Sequence, residues 1–193
     1  MAVKVKALSG EALEAALPDL ARLRIEVFRA FPYLYDGDEA YEQHYLRSYR
    51  DTPDAVLVAA ISEGRVIGAA TGMPLSSHGD ATQISKGELP VEDVFYCAES
   101  VLLPEFRGQG IGHAFFDHRE AHARTLGFRL SAFCSVIRPE DHPLRPADYR
   151  SNDVFWRKRG YRPMPGVLAE FTWTDIGDRA ESKKALQFWS REL

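Results

Sequence analysis

Val3 to Leu8 alternates apolar and basic residues, the period-2 signature of a strand with one face on a core, and Ser9-Gly10 ends it. Behind Ser9, the residues Leu13, Leu17, Leu20, Leu23 and Val27 recur at helical spacing as far as Phe28, which predicts an amphipathic helix that Pro18 would break or kink. Phe31-Pro32-Tyr33-Leu34-Tyr35-Asp36-Gly37-Asp38 reads as an aromatic turn, and Glu39 to Arg50 as a second helix carrying Tyr41, Tyr45, Leu46 and Tyr49. The apolar runs Ala55 to Ile61 and Val66 to Met73, joined by Ser62-Glu63-Gly64-Arg65, predict a hairpin. Ser76 to Lys86 reads as a loop or short helix.

Asp93 to Leu103 predicts one strand, Gly112 to Leu126 a helix with Gly127 at its C-terminal cap, and Phe128 to Val136 a further strand. Ile137 to Arg150, with Pro139, Pro143 and Pro146, is a long irregular insertion of the kind that tends to be functional or disordered. Ser151 to Arg159 reads as a short helix and Leu168 to Thr174 as a strand. Lys183 to Leu193 reads as a terminal helix, appended over about residues 180–193, whose Leu186, Phe188 and Trp189 offer an apolar stripe for covering the sheet or for a homodimer. The 193 residues are of a size for a single domain, 1–193.

Charge changes this picture only by exclusion. Twenty-four basic and 28 acidic residues give a formal charge of −4, so no basic field points to nucleic acid. The two cysteines, Cys97 and Cys134, lie in apolar strand-like runs and read as reduced core thiols, which with the absence of a membrane span or leader pattern implies a cytoplasmic protein.

The chemistry begins at Arg107-Gly108-Gln109-Gly110-Ile111-Gly112, between a predicted strand and a predicted helix. Glycines there let main-chain N–H groups approach a polyanion, and the helix turns its unpaired N–H groups and positive dipole end to the same point. A dinucleotide fingerprint would need a glycine where His113 stands and an acidic partner near Phe128 to Leu130; a P-loop would need Lys-Ser/Thr after Gly112, where His113-Ala114 follow. Arg107, Gly110 and Gly112 do satisfy Arg/Gln-x-x-Gly-x-Gly/Ala. That pattern closely resembles the acetyl-CoA pyrophosphate loop of the GNAT superfamily of N-acetyltransferases. Phe155-Trp156-Arg157-Lys158-Arg159-Gly160-Tyr161 resembles the family's second hallmark, an aromatic pair on a helix followed by Gly-aromatic.

The resemblance implies an α/β (α+β) GNAT fold: a mixed, mostly antiparallel central sheet splayed between two central strands, with helices on both faces. It implies an N-acetyltransferase that moves the acetyl group of acetyl-CoA to a primary amine, by direct attack in a ternary complex. Alternatives are a catalytically silent acyl-CoA sensor and a transferase for a longer acyl-CoA. By the same resemblance Val101, Leu102 and Leu103 would pair with the pantetheine arm, Arg107 to Gly112 would hold the pyrophosphate, and Trp156 would adjoin the cofactor.

Amine attack on a thioester needs a base, and Glu99, in an otherwise apolar run on the strand before the loop, is the candidate base or water-positioning residue. Many family members carry an acidic tyrosine hydroxyl where this chain has Trp156, and an indole cannot serve as that acid. Either the thiolate leaves without a protein acid or Tyr149 substitutes, with His142 on the proline-rich loop a further candidate or substrate contact. Tyr33, Tyr35, Asp36, Asp38 and Glu39 set aromatic surface beside acidic groups, which suits a cationic small-molecule amine better than a protein partner. His118 and His122 are four apart but form H-R-E-A-H, so no metal is expected.

Overall fold

The computed structural model describes residues 2–193, the side chain of Ser85 excepted; Met1 lies outside the described residues. The strands are β1 (Lys4–Leu8), β2 (Val56–Ser62), β3 (Arg65–Pro74), β4 (Ile84–Lys86), β5 (Val94–Tyr96), β6 (Ser100–Leu102), β7 (Leu130–Val136), β8 (Arg162–Trp173) and β9 (Ser182–Glu192). The helices are α1 (Gly10–Phe28), α2 (Glu39–Tyr45), α3 (Arg47–Asp51), α4 (Ile111–Thr125) and α5 (Asp153–Lys158). The strands form one sheet in the order β1-β2-β3-β5-β7-β9-β8-β4, with β6 also paired to β3. Every pairing is antiparallel except β5 with β7.

β2 and most of β3 are buried at successive positions rather than at alternate ones, because α1 and α4 both lie on them and cover both faces. α1 buries Leu13, Leu20 and Leu23. Pro18 does not break it: Pro18 and Glu14 are both exposed, so the Glu14 carbonyl that loses its helical donor faces water.

The expected strand from Asp93 to Leu103 is interrupted, and the interruption shapes the molecule. β5 pairs with β7, and the last link is Cys97 N–H to the Ala132 carbonyl at 2.8 Å. Beyond it β6 stays with β3 while β7 turns to β9, so the sheet opens between β6 and β7. Arg119 of α4, fully buried, fixes the break: Nη1 donates to the carbonyls of Glu99 (3.0 Å) and Thr71 (3.1 Å), and Nη2 to Ser100 Oγ (3.0 Å). Flanking β6, the Glu99 carbonyl accepts from the Thr71 N–H and the Leu103 N–H donates to the Ile67 carbonyl, so the groups of the odd-numbered residues face β3. By alternation the N–H and C=O of Ser100 and Leu102 face the opening.

The segment expected as a terminal helix is strand β9, inserted between β7 and β8. Lys184, Leu186 and Phe188 are buried at every second position, against neighbours on both sides. The stripe offered for a homodimer is therefore interior: Phe188 is fully buried and Trp189 packs on Phe133. No helix among the described residues is long and apolar enough to cross a membrane.

Candidate active site

From β6 the chain passes one 3-10 turn, Pro104–Phe106, and enters the glycine loop. Gly108 (φ 77°) and Gly110 (φ 81°) are left-handed, and Gly110 caps α4. A Cβ on either would meet nothing within 4 Å, so what demands glycine there is the backbone conformation itself. Among the described residues, none of the five N–H groups from Gly108 to Gly112 donates to a protein acceptor. Arg107, exposed, folds back to the Leu102 carbonyl through Nε (3.3 Å). This row of unpaired donors, ending at the positive end of a 15-residue helix, is built for a polyanion. Gly112 differs: its φ is not left-handed, and a Cβ there would meet Phe155 at 3.4 Å, an ordinary van der Waals contact, so neither conformation nor space demands glycine.

The second motif locks that arrangement. Phe155 meets His113 and Phe116 edge-on; Tyr161 is buried with its hydroxyl at Ser131 Oγ (2.7 Å) and Glu120 Oε1 (3.1 Å). Trp156 lies between Phe133 and Trp189, at 4.9 and 5.2 Å between ring centres. Phe133 alternates with Cys134 on β7, so Trp156 packs on the sheet face opposite to Cys134.

On the Cys134 face, beside the opening, lies a cavity of about 120 Å³. Its wall contains Glu99 and Ala98 from the break, Arg24 and Phe28 from α1, Tyr41 and Tyr45 from α2, and Phe171 and Trp173 from β8, together with Tyr33, Tyr35, Asp80, Tyr96 and Cys134. Glu99, 4% exposed, accepts from Thr71 Oγ1 (2.7 Å), Arg24 Nη1 (2.8 Å) and the Tyr45 hydroxyl (3.2 Å). Arg24 Nε reaches the buried Glu42 at 2.5 Å. Burial opposes the Arg24 charge, but Glu99, with Tyr45 and Glu42, outweighs it and holds the guanidinium well above its ordinary pKa. Behind Tyr45, His78 Nε2 stands 3.2 Å from the Tyr45 hydroxyl and 3.1 Å from that of Tyr49. His78 Nδ1 accepts the Asp80 N–H (3.0 Å), which leaves the ring proton on Nε2. Burial pushes the hydroxyls of Tyr33, Tyr45 and Tyr96 and the Cys134 thiol upward, and the Asp80 carboxylate adds to each shift.

The residues expected to bind substrate divide. Tyr33 and Tyr35 line the cavity with Glu99. Asp36 is instead at the surface with Arg29 (3.2 Å), and Asp38 caps α2 by accepting the Tyr41 N–H (2.8 Å). His142 and Tyr149 gather around Phe31, at 5.7 and 4.7 Å, outside the cavity lining; burial raises the Tyr149 pKa. Their loop is tied down by Arg138, which donates to the carbonyls of Pro32 and Tyr33 and pairs with Asp175 at 2.7 Å. The cavity's own charges are Arg24, Glu99 and Asp80. Arg24 was legible in principle: Leu13, Leu17, Leu20, Arg24 and Val27 share one helical stripe, so a cation stands where a core residue is due. Asp80 and His78 lie in a stretch with no periodicity to place them.

A row of bare N–H groups at the mouth of a sheet split in its middle is the architecture of the acetyltransferases that the two motifs resemble. A sequence profile of the acetyltransferase (GNAT) family matches residues 18–145, and the chain belongs to that family, whose members transfer acyl groups from acetyl-CoA. No curated protein sequence matches it. Among solved structures, the phosphinothricin acetyltransferase from Sinorhizobium meliloti in complex with AcCoA is 22% identical, with a TM-score of 0.60 over 100% of this chain and 89% of that one. The ribosomal-protein-alanine N-acetyltransferase from Brucella melitensis is 16% identical, with a TM-score of 0.62 over 98% and 99% of the two chains. A GCN5-related N-acetyltransferase from Kribbella flavida is 18% identical, at 0.58 over 100% and 98%. Identities this low carry the fold and not the acceptor.

Proposed function

We propose that this protein transfers the acetyl group of acetyl-CoA to a primary amine of a small molecule, by direct attack within a ternary complex. One observation carries the reading: the unpaired N–H row from Gly108 to Gly112 stands at one end of the β6/β7 opening, and an aromatic-lined, half-open cavity lies beside that opening. Arg107 and the loop amides would hold the pyrophosphate, and within Val101 to Leu103 the Leu102 main chain, whose N–H faces the opening and whose carbonyl meets Arg107, would align the arm. The amine nitrogen forms its bond to the acetyl carbon as the carbon–sulfur bond breaks. Glu99, oriented by Arg24, Thr71 and Tyr45, receives the amine proton directly or through a water. Trp156 packs on the far face of β7 and Tyr149 stands by Phe31, so the thiolate takes its proton from solvent in this reading.

Both thiols are free and buried, which fits a reducing, cytoplasmic setting. Thiol release on mixing the protein with acetyl-CoA and a panel of small amines tests the activity; no release with any amine, while CoA binds, would replace it by an acyl-CoA sensor. Trp156, which offers no acidic hydroxyl, is the observation that favours that second reading.

A further inference from the structure

Resting on the acetyltransferase reading, the chemistry of the cavity narrows the acceptor. Arg24 is the only cation in its wall among the described residues, and two adjacent edges of that guanidinium are already committed, Nε to Glu42 and Nη1 to Glu99. It cannot offer a substrate carboxylate the paired donors such a group takes from arginine. Arg138 and Lys184, behind Trp173, are committed too. Arg138 spends its N–H groups on Asp175 and on the Pro32 and Tyr33 carbonyls. Lys184 spends its ammonium on Asp175, Ser182 and the Trp173 carbonyl.

The carboxylates are differently placed. Of the two carboxylates in the wall, Glu99 is held by Arg24, whose Nε is itself taken by Glu42 behind it, and Asp80 faces the cavity without a hydrogen bond to its carboxylate, 3.4 Å from His78 Nδ1. Tyr33, Tyr35, Tyr41, Tyr45 and Trp173 line the same cavity, and aromatic rings attract a cation and cover an apolar body. At about 120 Å³ the space is close to that which holds a single benzene ring.

We propose that the acceptor is a compact ammonium with an aromatic or branched apolar body and no carboxylate, anchored by Asp80. The arrangement excludes free amino acids, whose α-carboxylate would meet an excess of negative charge and no available donor pair.

Matched pairs differing only in that carboxylate test this: phenethylamine against phenylalanine, and isoamylamine against leucine. Binding is followed by the change in tryptophan fluorescence, to which Trp173 in the cavity wall contributes, and turnover by thiol release. Each amine is expected to bind at least ten-fold more tightly than its amino acid, with kcat/KM in the same order. Asp80→Asn is expected to weaken phenethylamine at least ten-fold while acetyl-CoA binding, measured by calorimetry, is unchanged. Equal or tighter binding of phenylalanine or leucine overturns the proposal, as does full phenethylamine affinity in a folded Asp80→Asn protein. The fluorescence comparison on the unaltered chain decides the matter if that variant does not fold. It also decides if no pair turns over, an outcome that counts against the acetyltransferase reading alone.

Discussion

Replacing Gly110 by alanine separates the loop's role in binding from its role in folding. Gly110 sits at φ 81° with open space where a Cβ would go, so the substitution adds no clash and only makes a left-handed conformation costly. That cost is about 1–2 kcal/mol for an L-residue, a fall in Tm of roughly 2–8 °C for a chain of this size. A backbone that relaxes to negative φ swings the Gly110 and Ile111 amides out of line. Each charge-assisted hydrogen bond lost costs about 1.5–3 kcal/mol, or roughly ten- to a hundred-fold in Kd. Gly127 supplies the control: φ is 83°, the Cβ space is again empty, and it lies past the other end of the 15-residue α4, about 22 Å away. Isothermal calorimetry with CoA and thermal unfolding on both variants read the two effects. Both are expected to lose similar stability, and only Gly110→Ala to lose CoA affinity. Equal CoA affinities for the two variants would refute the reasoning.

Further outcomes follow from buried charges and thiols. Arg119→Met leaves the Thr71 carbonyl without its Arg119 donor and the Glu99 carbonyl with the Thr71 N–H alone, and is expected to cost about 3 kcal/mol in urea unfolding, with a loss of CoA affinity because the sheet break is no longer held. Burial alone would raise the Asp175 carboxyl, but Arg138 and Lys184 outweigh it and hold it below its ordinary value. Its contribution to stability is therefore complete above about pH 3.9 and fades as pH falls through the lower native value. Asp175→Asn should accordingly be less stable than the parent at pH 6, with the gap closing towards pH 2. Burial pushes the Cys97 and Cys134 thiols up, so iodoacetamide at pH 8 should leave both unmodified in the native protein and alkylate both in denaturant; mass spectrometry counts the adducts.

The parts of the fold that carried their own local signal were legible in the chain. The glycine loop, the Phe155 to Tyr161 motif and the apolar runs of β2 and β3 needed no knowledge of their neighbours. β9 did. Lys183 to Leu193 is rich in good helix formers, and Leu186 and Trp189 are three apart, so helical spacing is present alongside alternation. Two flanking strands decide between them, and those contacts are not encoded within the eleven residues. The acidic side of the cavity was sought in Asp36, Asp38 and Glu39, near the tyrosines in sequence. It comes from Glu99 and Asp80, with Glu42 buried behind Arg24, which only the packing of α1 and α2 on the broken strand brings together. Glu99 in its apolar run was one sequence signal of that assembly, and a cation on a core stripe, as Arg24 is, was another.

The opening in the sheet also divides the protein mechanically. β1, β2, β3 and β6 form one wing and β7, β9, β8 and β4 the other, and their ladders meet only through short β5 and the Cys97–Ala132 link. With so few main-chain bonds across the neck, amide hydrogens on the two sides should exchange as separate cooperative units in the free protein. A ligand bridging the gap would supply the strand that is missing there. Exchange in both wings should then slow together on binding, and the molecule should unfold as one body where before it yielded in two.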